Sequence, residues 1–158
     1  MRTFNVFDGP TDGPDPSHPP GYRARRARFG PSIGAAMIGA TVYDLPPGQS
    51  NAPYHYELGD EEWVVVLAGE PTLRAPDGEQ RLRPGDTVCF PPGRDGAHKI
   101  TNQTGEPVRT LMLSTRRLPS VAIFPDSDKV SLIAADERDN VDVPRSAAVG
   151  YWDGEISS

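Results

Sequence analysis

The chain has 158 residues, 36% of them hydrophobic and 24% charged, with a net charge of −6. That length suits one domain with a full core, and the acidity argues against nucleic acid or an anionic membrane as partner. No apolar run approaches the ~20 residues that span a bilayer, and MRTFNVFDGP at the N-terminus lacks a secretory stretch, so the expectation is a cytoplasmic protein.

The pass along the chain starts with a proline-rich segment, DGPTDGPDPSHPP at residues 8–20, which has no apolar periodicity and reads as irregular and extended. GYRARRAR follows, with four arginines in eight residues. In an acidic chain it reads as an arm that pairs with acidic surface elsewhere rather than as a polyanion site. From Ile33 onward come short β-prone runs: IGAAMIGATVYDL, WVVVLAG, PTLRAP, EQRLRP, TVCFPP, HKITN and VRTLMLST. PPG, PDG, PGD, PPGRDG and NQTGEP separate them, all of it turn chemistry. LRAPDGEQRL is the clearest hairpin, with Asp77-Gly78 at its tip. Beyond Thr115 lie one more strand, SVAIFP, then a polar stretch and the aromatic YWDGE. Seven or eight strands without a helix imply an all-β antiparallel sandwich or barrel. The single cysteine, Cys89, sits in the apolar run TVCF and is expected to be a buried, inert thiol.

PYHYELGDEEWVVVLAG, Pro53 to Gly69, sets acidic residues and a histidine before the most hydrophobic strand. In a strand, residues two apart share a face, so His55 and Glu57 project together, and Glu62 opens the next strand nearby. A carboxylate at the mouth of an apolar face costs free energy unless it is paired, hydrogen-bonded or coordinated. His98 begins a further strand. Two imidazoles with one or two carboxylates suit Fe(II), Mn(II) or Zn(II). The competing reading is a half-buried histidine that only makes hydrogen bonds, beside solvated acids. Asp60 and Glu61 are expected to be solvated turn residues. Trp63 is expected to turn away from Glu62, into a core or an interface.

These segments resemble the two motifs of the cupin superfamily. The first reads Gly48, QSNAPY, His55, Tyr56, Glu57, LGDE, Glu62, WVVVLA, Gly69, with one extra residue after the first glycine. The second reads Gly85, DTVCF, Pro91, Pro92, Gly93, RDGA, His98, KIT, Asn102, with four residues before His98 where the pattern has two. The chain is also similar to stand-alone bacterial cupins with a GYRARRAR-like arm and a PDS-K sequence after the barrel. The resemblance implies a single double-stranded β-helix (jelly-roll) barrel over residues 33–115. An N-terminal arm (1–32) and a C-terminal extension (116–158) would flank it.

The resemblance also implies His55, Glu62 and His98 as metal ligands. Glu57 stands where most of the superfamily has a second histidine, and it is expected as the fourth ligand. It would bind directly or through water, unless the substitution marks a site that has lost its metal. The implied activity is metal-dependent dioxygenation, isomerisation or lyase chemistry on a small molecule. The alternative is non-catalytic binding of a sugar or organic acid. The expected assembly is a homodimer.

Overall fold

The computed structural model describes residues 1–156. The fold is all-β, as the turn-rich sequence implies, and its helical content is a handful of three-residue 3-10 turns. Its twelve strands are β1 (Arg25–Arg28), β2 (Ile38–Leu45), β3 (Tyr56–Glu57), β4 (Glu62–Ala68), β5 (Thr72–Ala75) and β6 (Gly78–Arg81), then β7 (Thr87–Phe90), β8 (Lys99–Thr101), β9 (Val108–Thr115), β10 (Ser120–Phe124), β11 (Lys129–Ile133) and β12 (Val141–Pro144). One layer is the antiparallel sheet β1-β2-β9-β4-β7. Opposite it lie β12-β11-β10-β3 and β6-β5-β8. A two-residue antiparallel bridge, His55 with His98, lies between β3 and β8 and connects those two sheets.

Alternation decides which side chains enter the space between the layers. On β4, Val64 and Val66 face inward and are fully buried with Leu45, Leu73, Ile100 and Met112. Burial of each such side chain contributes about 1.5–3 kcal/mol. The outward face of the same sheet forms a second cluster around Phe29, Ala40 and Val42. Phe4 and Val6 of the N-terminal segment cover it, with Phe4 stacked on Phe29 at 4.4 Å between centroids. Arg109 ties that segment down. It donates to the carbonyls of Val6 at 2.8 Å and Gly9 at 2.5 Å, and pairs with Asp44 at 2.7 Å. β1 pairs with β2 along its whole length, so part of the arginine-rich run lies within the sheet.

Several sequence expectations change. The apolar run that opens at Ile33 becomes a strand only at Ile38, because Pro31–Ile33 form a 3-10 turn. The β5–β6 hairpin turns on Pro76-Asp77, and Gly78 already pairs with Ala75. The stretch after Phe124, read as polar, supplies β11 and β12. Cys89 is exposed rather than buried. On the β7 edge strand Phe90 points inward, which turns its neighbour Cys89 outward beside Trp63. Trp63 itself is partly exposed, its indole N–H donating to Glu61 at 2.7 Å. Among the described residues no helix is long and apolar enough to cross a membrane.

The second-motif Asn102 is fully buried and saturated. Its amide donates to the carbonyls of Leu45 and Glu106, both at 2.8 Å, and its oxygen accepts from the Thr104 amide and hydroxyl at 2.9 and 2.7 Å. Asn102→Ala strands these buried partners and should cost about 2–3 kcal/mol. Urea unfolding would read this as a lower midpoint at unchanged slope.

Candidate metal centre

His55 and His98 face each other across the bridge, where each peptide N–H donates to the other's carbonyl, at 3.1 and 2.8 Å. This double bond sets the two imidazole rings 4.8 Å apart. Both rings are oriented in the same way. His55 Nδ1 donates to the Pro53 carbonyl and His98 Nδ1 to the Gly96 carbonyl, each at 2.9 Å. A carbonyl only accepts, so Nδ1 carries the hydrogen and each neutral ring presents the lone pair of Nε2. The Gly96 carbonyl reaches His98 because residue 96 has no side chain: a Cβ there would collide with the Pro91 carbonyl. Phe90 stacks on His98 at 3.7 Å, and Phe124 on His55 at 5.6 Å.

Glu62, on the facing layer, aims Oε2 at both rings, 3.6 Å from His55 Nε2 and 3.5 Å from His98 Nε2. These separations are too long for good hydrogen bonds. Glu62 Oε2 and His98 Nε2 are buried and have no hydrogen-bond partner. Orphaned buried atoms of this kind call for an unrepresented partner. One carboxylate oxygen and two imidazole nitrogens, all within 4.8 Å of one another, fit a divalent cation. The lining tunes the two histidines apart. Burial, with His55 nearby, pushes His98 down to about 4. Burial also opposes charge on His55, but the facing Glu62 carboxylate outweighs it and holds that pKa above its ordinary value.

The structure therefore brings together three of the four residues singled out in the sequence. Glu57 lies beside this group, its Oε2 3.0 Å from the Ser120 hydroxyl. That hydroxyl also lies 2.5 Å from Asp60 Oδ2. Asp60 takes two further bonds from the Thr115 hydroxyl and the Arg117 amide, at 2.9 and 3.0 Å. Serine has one proton to share between the two carboxylates, and the shorter contact is to Asp60. Burial and the nearby Glu62 push the Glu57 pKa up, while the Ser120 hydroxyl acts the other way. Asp60, expected in a solvated turn, is instead buried. Its two-residue offset from Glu62 gave no sign of this, because its partners come from the return of the chain after β9. Ser120 and Phe124 were likewise missed, although SVAIF alternates in a way that puts both on one face. Arg94 and Asp95 sit in an exposed 3-10 turn.

A two-layer β-fold carrying a His–Glu–His cluster between its layers defines a cupin-type protein. Residues 41–114 match the family model for the cupin domain. It is similar to the structure of a putative sugar phosphate isomerase from Acidithiobacillus ferrooxidans, with 26% identity, a TM-score of 0.75 and 83% and 82% of the two chains covered. A sugar phosphate isomerase of the cupin superfamily from Silicibacter pomeroyi superposes over 96% of this chain and 98% of its own, with a TM-score of 0.80 at 22% identity. The polyketide cyclase RemF from Streptomyces resistomycificus shares the fold at 22% identity, with a TM-score of 0.61 and 76% and 83% covered. No curated protein matches the sequence.

The pH behaviour of the metal-free protein follows from His98. Its folded pKa of about 4 lies below the ordinary 6.5, so the unfolded chain binds the proton first as pH falls. The associated stability is present above pH 6.5 and declines towards pH 4, by about 3 kcal/mol for this group. Thermal melts in a chelator should fall over that range more steeply for wild type than for His98→Gln.

Proposed function

We propose that the chain is a divalent-metal-dependent enzyme acting on a small molecule. His55, Glu62 and His98 hold the ion, Fe(II), Mn(II) or Zn(II), and Glu57 is an exchangeable fourth ligand and proton carrier. The observation that carries this reading is the convergence of buried, partnerless Glu62 Oε2 and His98 Nε2 with His55 Nε2. Bound there, the metal supplies Lewis acidity towards a substrate oxygen. The residues do the rest. The Nδ1 bonds to Pro53 and Gly96 fix both rings, as outer partners of metal-bound histidines do. Phe90 and Phe124 exclude water from their faces. Glu57, its pKa raised by burial and by Glu62, exchanges a proton at its carboxylate, which the Ser120 hydroxyl orients.

Among dioxygenation, isomerisation and lyase chemistry, isomerisation of a phosphorylated sugar is favoured. Proton transfer is the step a half-buried carboxyl of raised pKa serves, and the Acidithiobacillus protein is named as a putative sugar phosphate isomerase. We place the protein in the cytoplasm and read it as a homodimer; the exposed Tyr151 and Trp152 support an interface between copies. The second reading is a non-catalytic binder of a sugar or organic acid. It draws on the carboxylate that stands in the place of the superfamily's second histidine.

Protein purified without chelator or immobilised nickel should carry one equivalent of metal by mass spectrometry. His98→Ala should lose it while circular dichroism stays unchanged; full occupancy in that variant would refute the site. Glu57→Gln keeps the shape of Glu57 but removes its proton exchange. It should retain metal and lose about 100-fold or more in turnover on phosphorylated sugars. A metal-loaded wild type that binds such sugars without turnover would favour the binding module.

A further inference from the structure

The arginine-rich run does not simply lie on the surface. Strand β1 alternates, and both of its ends show which face is which. Ala24, just before it, packs against the interior cluster with Leu45 and Val64. Phe29, just after it, belongs to the outer cluster. The even-numbered positions therefore face between the layers: Arg26 lies opposite Tyr43 and Arg28 opposite Thr41, whereas Arg25 lies opposite Asp44 on the outside. Arg26 is half-buried and Arg28 is exposed at the rim.

Neither inward arginine has an anionic partner. Three other arginines are held by carboxylates, Arg109 by Asp44 at 2.7 Å, and Arg74 by Asp126 and Arg138 by Asp136 at 2.6 Å. Among the described residues, Arg26 and Arg28 make no ion pair, and the one side-chain partner of Arg26 is the neutral hydroxyl of Tyr43. Asp15, whose field reaches Arg26, is exposed and engaged with Ser17. Two guanidinium groups on an inward face, one of them half-buried, with no counter-charge, present up to ten N–H donors to an anion. Tyr43, opposite Arg26, packs against the interior cluster of Leu45 and Val64, on the same sheet whose β4 carries Glu62.

We propose that Arg26 and Arg28 bind the phosphate dianion of a small-molecule substrate whose reacting end lies at His55, Glu62 and His98. The inference rests on the metal-site reading for the position of the reacting end, and on the β1 register for the arginines. Planar forks suit phosphate oxygens better than ammonium groups do. The arginines would thus select phosphorylated over neutral sugars, and they act as binding residues, not catalytic ones.

Calorimetric titration with inorganic phosphate, glucose 6-phosphate and glucose tests the assignment, with Mn(II) binding followed in parallel by electron paramagnetic resonance. Wild type should bind both phosphates and not glucose. R26Q/R28Q should weaken phosphate binding by about tenfold or more with unchanged Mn(II) stoichiometry, and R25Q should bind as wild type. If the double variant does not fold, R28Q at its exposed position should still weaken binding by about threefold or more. Equal phosphate affinity in wild type and variants, equal loss in R25Q, or no phosphate binding to wild type overturns the proposal. Arginine-dependent phosphate binding in a protein that takes up no Mn(II) leaves this proposal standing and removes the metal reading instead.

Discussion

The reciprocal peptide hydrogen bonds between His55 and His98 are the constraint on which the rest depends. They join two short sheets into one layer, and they do so at the two residues whose rings form the site. Backbone pairing of this kind fixes Cα positions to a fraction of an ångström, so the rings need only one further restraint each. The Nδ1 bonds to Pro53 and Gly96 provide it. Glu62 comes from the opposite layer, where its position follows from the β4 pairings with β7 and β9. The cluster thus inherits its geometry from the sheets rather than from flexible loops, which is the arrangement that keeps ligand atoms preorganised.

Electrostatics separates the three carboxylates near the cluster into distinct roles. Asp60 is satisfied by two hydroxyls and a peptide N–H, and it serves to hold the chain where it returns after β9. Glu57 sits at the end of that chain of bonds as an acid of raised pKa. Glu62 is left facing two imidazoles with an unpartnered oxygen. Removing charge from water in this way is expensive without compensation. A divalent ion supplies that compensation for Glu62 and for the partnerless His98 nitrogen at once.

Much of this was legible in the sequence, and the rest fails for identifiable reasons. Strand-rich order and the LRAPDGEQRL hairpin follow from period-two alternation and turn residues, and the grouping of His55, Glu62 and His98 from the resemblance to the two cupin motifs. Cys89 was misread because apolar neighbours in TVCF say nothing about which face an edge strand turns outward. Asp60 was misread because its partners lie more than fifty residues away, and local sequence carries no record of them. β11 and β12 were missed because KVSLI and VDVP are short and polar-flanked, and they become strands only by pairing onto β10. The arginine run illustrates the same limit: its charge was evident, but the register that turns Arg26 and Arg28 inward is set by β2.

One divalent ion among two imidazoles and a carboxylate contributed by opposite layers is what this geometry requires. A crystal structure of the protein soaked in Mn(II), with an anomalous difference map, tests it most directly. The account predicts one dominant peak within bonding distance of His55 Nε2, His98 Nε2 and Glu62 Oε2. A map without a peak there at full soak concentration, or with its strongest peak elsewhere on the chain, would contradict it.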